Sequence, residues 1–341
     1  MAAATNPQAE RNAGLDVLRA AAIGGVLAAH LSTGYAADWA KPVFGIGTYG
    51  VDLFFVLSGW LLGRQLLAEL RATGTLDVRR FLSRRWLRTL PAYFAVLGLV
   101  FGWQVLATSD PNLDWRFLVF VQNYHFEDMP YFPASWSLCV EEHFYLAIGP
   151  LLLVARRRWG GLVLAAVAAA PTLFRALGWY GEKAETHVRF DGCAIGVGLA
   201  ALAVYRPQVW AAVGRLSGLW LGVVVAGLAV ECWCRYRLDS LGLDTVGFAG
   251  LSGLLVVVAV RTPWLGALRC GGLAKYVSTR SYALYLTHQF VMDGVGRAWP
   301  TADPVAAVAA ILVLCLAASE VLYQGVERPG MACRERFAWS R

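Results

Sequence analysis

The sequence predicts an all-α, polytopic membrane protein, a bundle of about ten transmembrane helices. Its 341 residues are 58% hydrophobic and only 16% charged, and the mean hydropathy is +0.52. A typical soluble domain is less apolar and carries roughly a quarter charged residues, so that class is excluded. The 14 tryptophans and 13 tyrosines are typical of side chains that anchor helices at the membrane–water interface.

Apolar segments recur along the whole chain. A helix needs about 20 residues to cross the hydrocarbon core of a bilayer. Ten segments satisfy that rule, with approximate bounds 14–36, 48–68, 86–107, 135–155, 160–178, 188–205, 215–233, 244–261, 278–297 and 304–325. The first is too long for a signal-peptide core, so we expect it to be retained as a helix.

The basic residues predict the orientation. With a cytoplasmic N-terminus, 22 of the 30 lysines and arginines fall on the cytoplasmic side. The positive-inside rule therefore predicts that both termini are cytoplasmic. We divide the chain into a cytoplasmic N-terminal tail (1–13), a transmembrane domain (14–327) and a cytoplasmic C-terminal tail (328–341). Arginine-rich loops explain the net charge of +7, so we expect membrane lipids as partners and no nucleic acid.

Ionisable side chains occur within the first two segments. A charge at bilayer depth costs at least a few kcal/mol on insertion scales and is a functional-site candidate. Arg19 and His30 fall within about 20° on one helix face and are about 16 Å apart along the axis. His30 is a candidate general base, with a backbone-bonded structural histidine as the alternative. Asp52 lies at a similar depth and either orients the His30 ring or caps the second helix.

Three arginines, Arg84, Arg85 and Arg88, enter the third segment from the predicted cytoplasmic side. Arg84 and Arg88 lie one turn apart on one face. Guanidinium groups bind phosphate oxygens through paired hydrogen bonds, so a phosphorylated cofactor from the cytosol would dock here. The alternative is an arginine cluster that meets anionic lipid headgroups.

The fourth segment begins with adjacent carboxylates. Glu141 and Glu142 point about 100° apart, so we expect only one of them to face a site. Ser137, Glu141 and Tyr145 share a face. The carboxylate accepts an arginine, orients His30 or binds an acceptor hydroxyl. The alternative is a structural ion pair with Arg19 or Arg189.

Two further groups of polar residues lie on the outer half. Ser281, Tyr285 and His288 share a face of the ninth segment, which is either a second inward histidine site or a packing face. Arg189 and Asp191 are expected to pair with each other and to have no catalytic role. The longest outer loop, about 108–134, is acidic and aromatic and either holds a sugar or acts as a lid.

The seven cysteines lack the spacing of metal ligands, so we predict neither a zinc site nor a disulfide framework. Cys139, beside the two glutamates, is retained as a minor candidate nucleophile.

Together these motifs resemble the acyltransferase type 3 family of integral membrane acyltransferases. The matching pieces occur in the family's order across almost the whole chain: Arg19 with His30, the segment 50–59, Arg84, Arg85 and Arg88, the segment 136–145 and the segment 281–288. Two positions depart from the family's pattern. His143 stands where glutamine is expected, and Cys139 stands where serine is expected.

The resemblance implies transfer of an acyl group, usually acetyl from acetyl-CoA or another acyl-CoA, to a hydroxyl of a glycan, a lipid-linked sugar or a small product. It implies that His30 is the catalytic histidine, Arg19 its partner, and Arg84, Arg85 and Arg88 the coenzyme A contacts. It also implies the stand-alone type, without a fused extracytoplasmic domain, in the bacterial inner membrane.

The predicted site has three parts. The catalytic candidates are His30, Asp52, Glu141 and Glu142; the coenzyme A candidates are Arg19, Arg84, Arg85 and Arg88; the substrate-binding candidates are Trp136, Ser137, Tyr145, Tyr285 and His288; no metal is expected. We favour direct transfer with His30 as base, and an acyl-enzyme on His30 or Cys139 is the alternative. The rival functions are a transporter or flippase for an acylated or sugar-bearing lipid and an inactive membrane sensor.

Overall fold

The computed structural model describes residues 12–107, 111, 114–125, 131–155, 160–181, 183–238, 245–262 and 271–336, and its regular structure there is entirely helical. The α-helices are α1 (Ala13–Tyr35), α2 (Lys41–Gly45), α3 (Gly50–Thr73), α4 (Val78–Ala107), α5 (Trp136–Ala155), α6 (Gly160–Ala176), α7 (Thr186–Arg189), α8 (Asp191–Tyr205), α9 (Pro207–Arg215), α10 (Ser217–Leu238), α11 (Thr245–Arg261), α12 (Gly271–Ala298), α13 (Pro304–Leu322) and α14 (Arg328–Arg336). The acidic residues Asp110, Glu127 and Asp128 of the predicted outer loop lie outside the described residues.

The fold confirms the all-α membrane bundle. Each of the ten predicted segments coincides with a helix. In the described part of the chain, six helices are long and apolar enough to cross a membrane. A seventh is obtained if α8 and α9, which meet at a bend of 113°, are taken as one span. The chain is therefore a multi-pass membrane protein, while ten crossings and cytoplasmic termini remain predictions.

Of the helices that extend past their predicted bounds at ends with basic residues, α4 and α12 extend furthest. α4 begins at Val78 and α12 at Gly271, because their first turns form helix although they are too polar to be read as membrane-spanning. The C-terminal region differs as well. A π-helical turn over Tyr323–Glu327 leads from α13 into α14. The predicted tail from residue 328 thus begins as a helix.

Close backbone contact between α3 and α8 sets the position of the central helices. A β-carbon on Gly59 would collide with the carbonyl of Cys193, and one on Gly196 would collide with the carbonyl of Val56. Small residues allow membrane helices to approach this closely. α1 packs against α12 and α3, so the faces of α1 and α12 that carry the two histidines are turned into the bundle.

Candidate functional site

Three polar clusters meet along the first three turns of α5. We call them the histidine cluster (His30, His288, Gln289, Tyr285 and Ser137), the arginine cluster (Arg19, Arg85, Arg88, Glu141 and Tyr145) and the Asp52–Arg189 pair, which lies against Trp136. α5 contacts all three because position 136 points about 100° away from position 137, and position 141 lies on the same face as 137 but about 6 Å further along the axis.

In the histidine cluster, the two imidazoles are neighbours. The ring centroids of His30 and His288 are 5.0 Å apart, with planes inclined by 49°. Nδ1 of His30 lies 3.0 Å from the carbonyl oxygen of Val26 and 3.3 Å from Nε2 of His288. His288 is fully buried, and its Nδ1 lies 2.7 Å from the carbonyl oxygen of Tyr285. The structure therefore brings together the two histidines singled out in the sequence.

The remaining contacts tie the histidines to the start of α5. The Tyr285 hydroxyl lies 2.7 Å from the Ser137 hydroxyl and donates to the carbonyl oxygen of Ala134 at 3.1 Å. Nε2 of Gln289 lies 3.3 Å from Nε2 of His30. The sequence reasoning missed Gln289, because a residue next to His288 on a helix points about 100° away. Its position inside the polar segment of the ninth span was the available signal.

Asp52 has a different partner from the one expected. It is 1% exposed, and it accepts a hydrogen bond from Arg189 at 3.0 Å rather than bonding the His30 ring. The expected Arg189–Asp191 pair is also replaced, because Asp191 lies 2.9 Å from Arg175. The Arg189 guanidinium stacks over the Trp136 ring at 5.1 Å. Spacing along the chain gives the position of Asp52 along α3, but it does not give the direction of its side chain around the helix.

In the arginine cluster, Glu141, Tyr145 and Arg85 form a chain of contacts. Arg85 donates to the Tyr145 hydroxyl, stacks on that ring at 4.3 Å and lies 3.7 Å from Glu141. Glu141 accepts from Tyr145 at 2.7 Å and from Ser58 at 2.6 Å. Glu141 therefore connects α3 and α5 to the arginine-bearing helix α4.

Glu142 points elsewhere, in line with the expected divergence of the two carboxylates. It accepts from the indole N–H of Trp86 at 2.9 Å and from the Thr89 hydroxyl at 3.2 Å, both on α4. His30 has its hydrogen bonds to Val26, His288 and Gln289 and none to either glutamate.

Positive charge is concentrated below the histidines. The Arg88 guanidinium lies within electrostatic range of Arg19 and Arg85, and the opposing carboxylate is Glu327. Arg19 also lies 3.7 Å from Asp16. Arg84 is half-buried one turn before Arg88 on α4. Three of the four predicted coenzyme A arginines thus come together from α1 and α4, about 16 Å along α1 from His30.

Cys139 is placed unfavourably for a nucleophile. Its side chain is fully buried, and its thiol lies 3.6 Å from the carbonyl oxygen of Ser135, outside the histidine cluster. Within the described ranges, no group of three His, Cys, Asp or Glu side chains is arranged to hold a metal ion.

The fold and site define a class: a multi-pass helical membrane protein with an imidazole pair and an arginine cluster inside one bundle. The model of a family described as an acyltransferase domain matches residues 12–324. The chain therefore belongs to that acyltransferase family, and the resemblance in its sequence motifs is confirmed.

Curated relatives are similar at low identity. The chain is 28% identical to the protein named "Putative peptidoglycan O-acetyltransferase YrhL" of Bacillus subtilis (strain 168), over 93% of this chain and 54% of that protein. It is 26% identical to "Peptidoglycan O-acetyltransferase OatA" of Listeria monocytogenes serovar 1/2a, over 80% of this chain and 48% of that protein. The chain thus spans about half the length of these relatives. No solved structure gives a significant match.

Proposed function

We propose that the protein is a membrane O-acyltransferase of the bacterial inner membrane, which moves an acyl group, preferably acetyl, from acyl-CoA on the cytosolic side to a hydroxyl of a glycan, a lipid-linked sugar or a small product. The names of the two relatives support acetyl as the group and a glycan as the acceptor. The observation that carries the proposal is the position of His30, about 16 Å along one helix from a cluster of three arginines.

The two clusters have complementary roles in this reaction. Arg19, Arg84, Arg85 and Arg88 bind the phosphates of coenzyme A, because guanidinium groups suit phosphate oxygens. The pantetheine arm then extends toward His30 and presents the thioester there. His30 takes the proton of the acceptor hydroxyl as its oxygen attacks the thioester carbon. The carbon–sulfur bond breaks, and the departing thiolate takes up the proton.

Several predicted catalytic residues act in this scheme through other residues. Asp52 holds Arg189 against Trp136. Glu141 holds Arg85 through its charge and through Tyr145. These residues are positioning residues, because their carboxylates are engaged by other side chains and not by the His30 ring.

The test is acetyl-CoA turnover by purified protein in detergent, followed by thiol release with DTNB. We expect His30→Ala to lower turnover roughly 10²- to 10⁴-fold while coenzyme A binding is retained. Arg88→Ala should weaken coenzyme A binding instead. His187→Ala is the matched control, since His187 lies on α7 and bonds the carbonyl oxygen of Trp179. A wild-type protein that neither binds coenzyme A nor releases thiol would refute the proposal and favour a transporter or flippase.

A further inference from the structure

The hydrogen bonds around His30 determine which of its nitrogens carries the proton. A carbonyl oxygen only accepts, so the Nδ1 atom that faces the Val26 carbonyl at 3.0 Å is the protonated one. The same reasoning places a proton on Nδ1 of His288, which faces the Tyr285 carbonyl at 2.7 Å. Nε2 of neutral His288 is then an acceptor. The His30 Nδ1–H forms a bifurcated hydrogen bond, whose second branch reaches this nitrogen at 3.3 Å.

The amide of Gln289 has one orientation for a related reason. The backbone N–H of Ala134 donates to Oε1 of Gln289 at 2.8 Å, and an N–H can donate only to the oxygen of the amide. The amide NH₂ must therefore face Nε2 of His30, 3.3 Å away. Each donor in this chain, from Ala134 through Gln289 and His30 to His288, meets an acceptor.

We infer that Gln289 is a positioning residue that holds His30 in the tautomer with an unprotonated Nε2, the nitrogen that removes the proton from the acceptor hydroxyl. This inference rests on the proposed function for its chemical meaning. The acceptor hydroxyl takes the place of the Gln289 N–H at Nε2. The anchor on Ala134, which lies just before α5, prevents the amide from turning its oxygen toward the ring. An orienting partner that selects the tautomer of a catalytic histidine is a recurrent requirement of base catalysis.

Three substitutions separate positioning from packing. Gln289→Met keeps the size of the side chain and removes both hydrogen bonds. Gln289→Glu keeps the shape and can still accept from Ala134, but its second oxygen has no hydrogen to donate to Nε2, so it favours a proton on that nitrogen. Thr287→Val is the control, because Thr287 lies buried two residues before Gln289 in α12 and its hydroxyl bonds the Ala283 carbonyl within its own helix.

The first measurement is ¹⁵N NMR of histidine-labelled protein in detergent at neutral pH, with the His30 signals assigned by their loss in His30→Ala. We expect an unprotonated Nε2 in wild type and in Thr287→Val, and a doubly protonated His30 ring in Gln289→Glu. The second is turnover of acetyl-CoA, where we expect kcat to fall roughly 10- to 100-fold in both Gln289 variants while the KM for acetyl-CoA stays within about twofold.

The NMR and turnover measurements can refute the role of Gln289 and the proposed function independently of each other. A proton on Nε2 of wild-type His30, or wild-type turnover in Gln289→Glu, would overturn the role of Gln289. A wild-type protein without thioester turnover would refute the proposed function, and the NMR spectra would still decide the tautomer because they need no substrate.

Discussion

Asp52 and Arg189 form an ion pair at 3.0 Å although 137 positions separate them in the chain. The pair connects α3 to the segment just before α8, and Arg189 also covers the Trp136 ring at the start of α5. One buried carboxylate thus fixes three elements beside the histidine cluster.

Removing one partner of this pair should destabilise the protein. Asp52→Asn leaves the Arg189 guanidinium buried without its counter-charge, which costs roughly 3–5 kcal/mol. Thermal unfolding in detergent, read by tryptophan fluorescence, should show a large decrease in the midpoint. The double variant Asp52→Leu with Arg189→Met should recover much of it. Asp38→Asn, in the exposed Asp38–Lys41 pair, is the control and should leave the midpoint unchanged. An equal effect of Asp38→Asn would contradict this account.

Arg88 should strengthen the binding of coenzyme A without stabilising the folded protein. Its neighbours Arg19 and Arg85 repel it in the absence of an anion, and Glu327 is the opposing charge. We expect Arg88→Gln to weaken coenzyme A binding roughly 10- to 100-fold, the worth of one charge-assisted hydrogen bond. The unfolding midpoint should not decrease. Arg80→Gln, on the exposed side of α4, should change neither quantity. Isothermal titration with coenzyme A measures the first, and a lower midpoint for Arg88→Gln would contradict the repulsion.

The two adjacent glutamates should respond differently to loss of charge. Glu142→Gln can keep its hydrogen bonds, because the Thr89 hydroxyl, which already donates to the Arg85 carbonyl, can accept from an amide. Glu141→Gln removes the charge 3.7 Å from Arg85. We expect turnover to fall about 10-fold or more in Glu141→Gln and only a few-fold in Glu142→Gln. Equal losses in side-by-side DTNB assays would show that the two carboxylates are not distinguished by these contacts.

Gly59 and Gly24 provide a matched test of helix packing. A β-carbon on Gly59 meets backbone atoms of α8, whereas one on Gly24 of α1 meets nothing within 4 Å. Gly59→Ala should therefore separate α3 from α8 and lower both the unfolding midpoint and the yield of folded protein. Gly24→Ala should be neutral or stabilising by roughly 0.5–1 kcal/mol, because alanine restricts the unfolded chain and favours helix. A stable Gly59→Ala protein would show that the two helices can move apart at little cost.

Helical periodicity and membrane depth predicted much of this arrangement. The positions of the ten helical segments follow from apolar length, and the inward placement of His30 and His288 follows from the cost of polar groups in lipid. The pairing of side chains does not follow, because depth along a helix says nothing about which neighbour a side chain faces. Asp52 was therefore assigned to His30 instead of Arg189. Ser58 donates to Glu141, and Glu327 lies within electrostatic range of Arg88. Both residues lie in segments whose apolar pattern gives no reason to select them.

The start of α5 connects the three polar clusters to one another. Trp136, Ser137 and Glu141 lie within the first two turns of α5, and each contacts a different cluster. If an anion binds Arg85 in place of Glu141, the change acts on the helix whose preceding residue, Ala134, bonds Gln289 and Tyr285. Under the proposed function, we therefore expect the affinities for donor and acceptor to be linked. If the donor changes the affinity for the acceptor by some factor, the acceptor changes the affinity for the donor by the same factor.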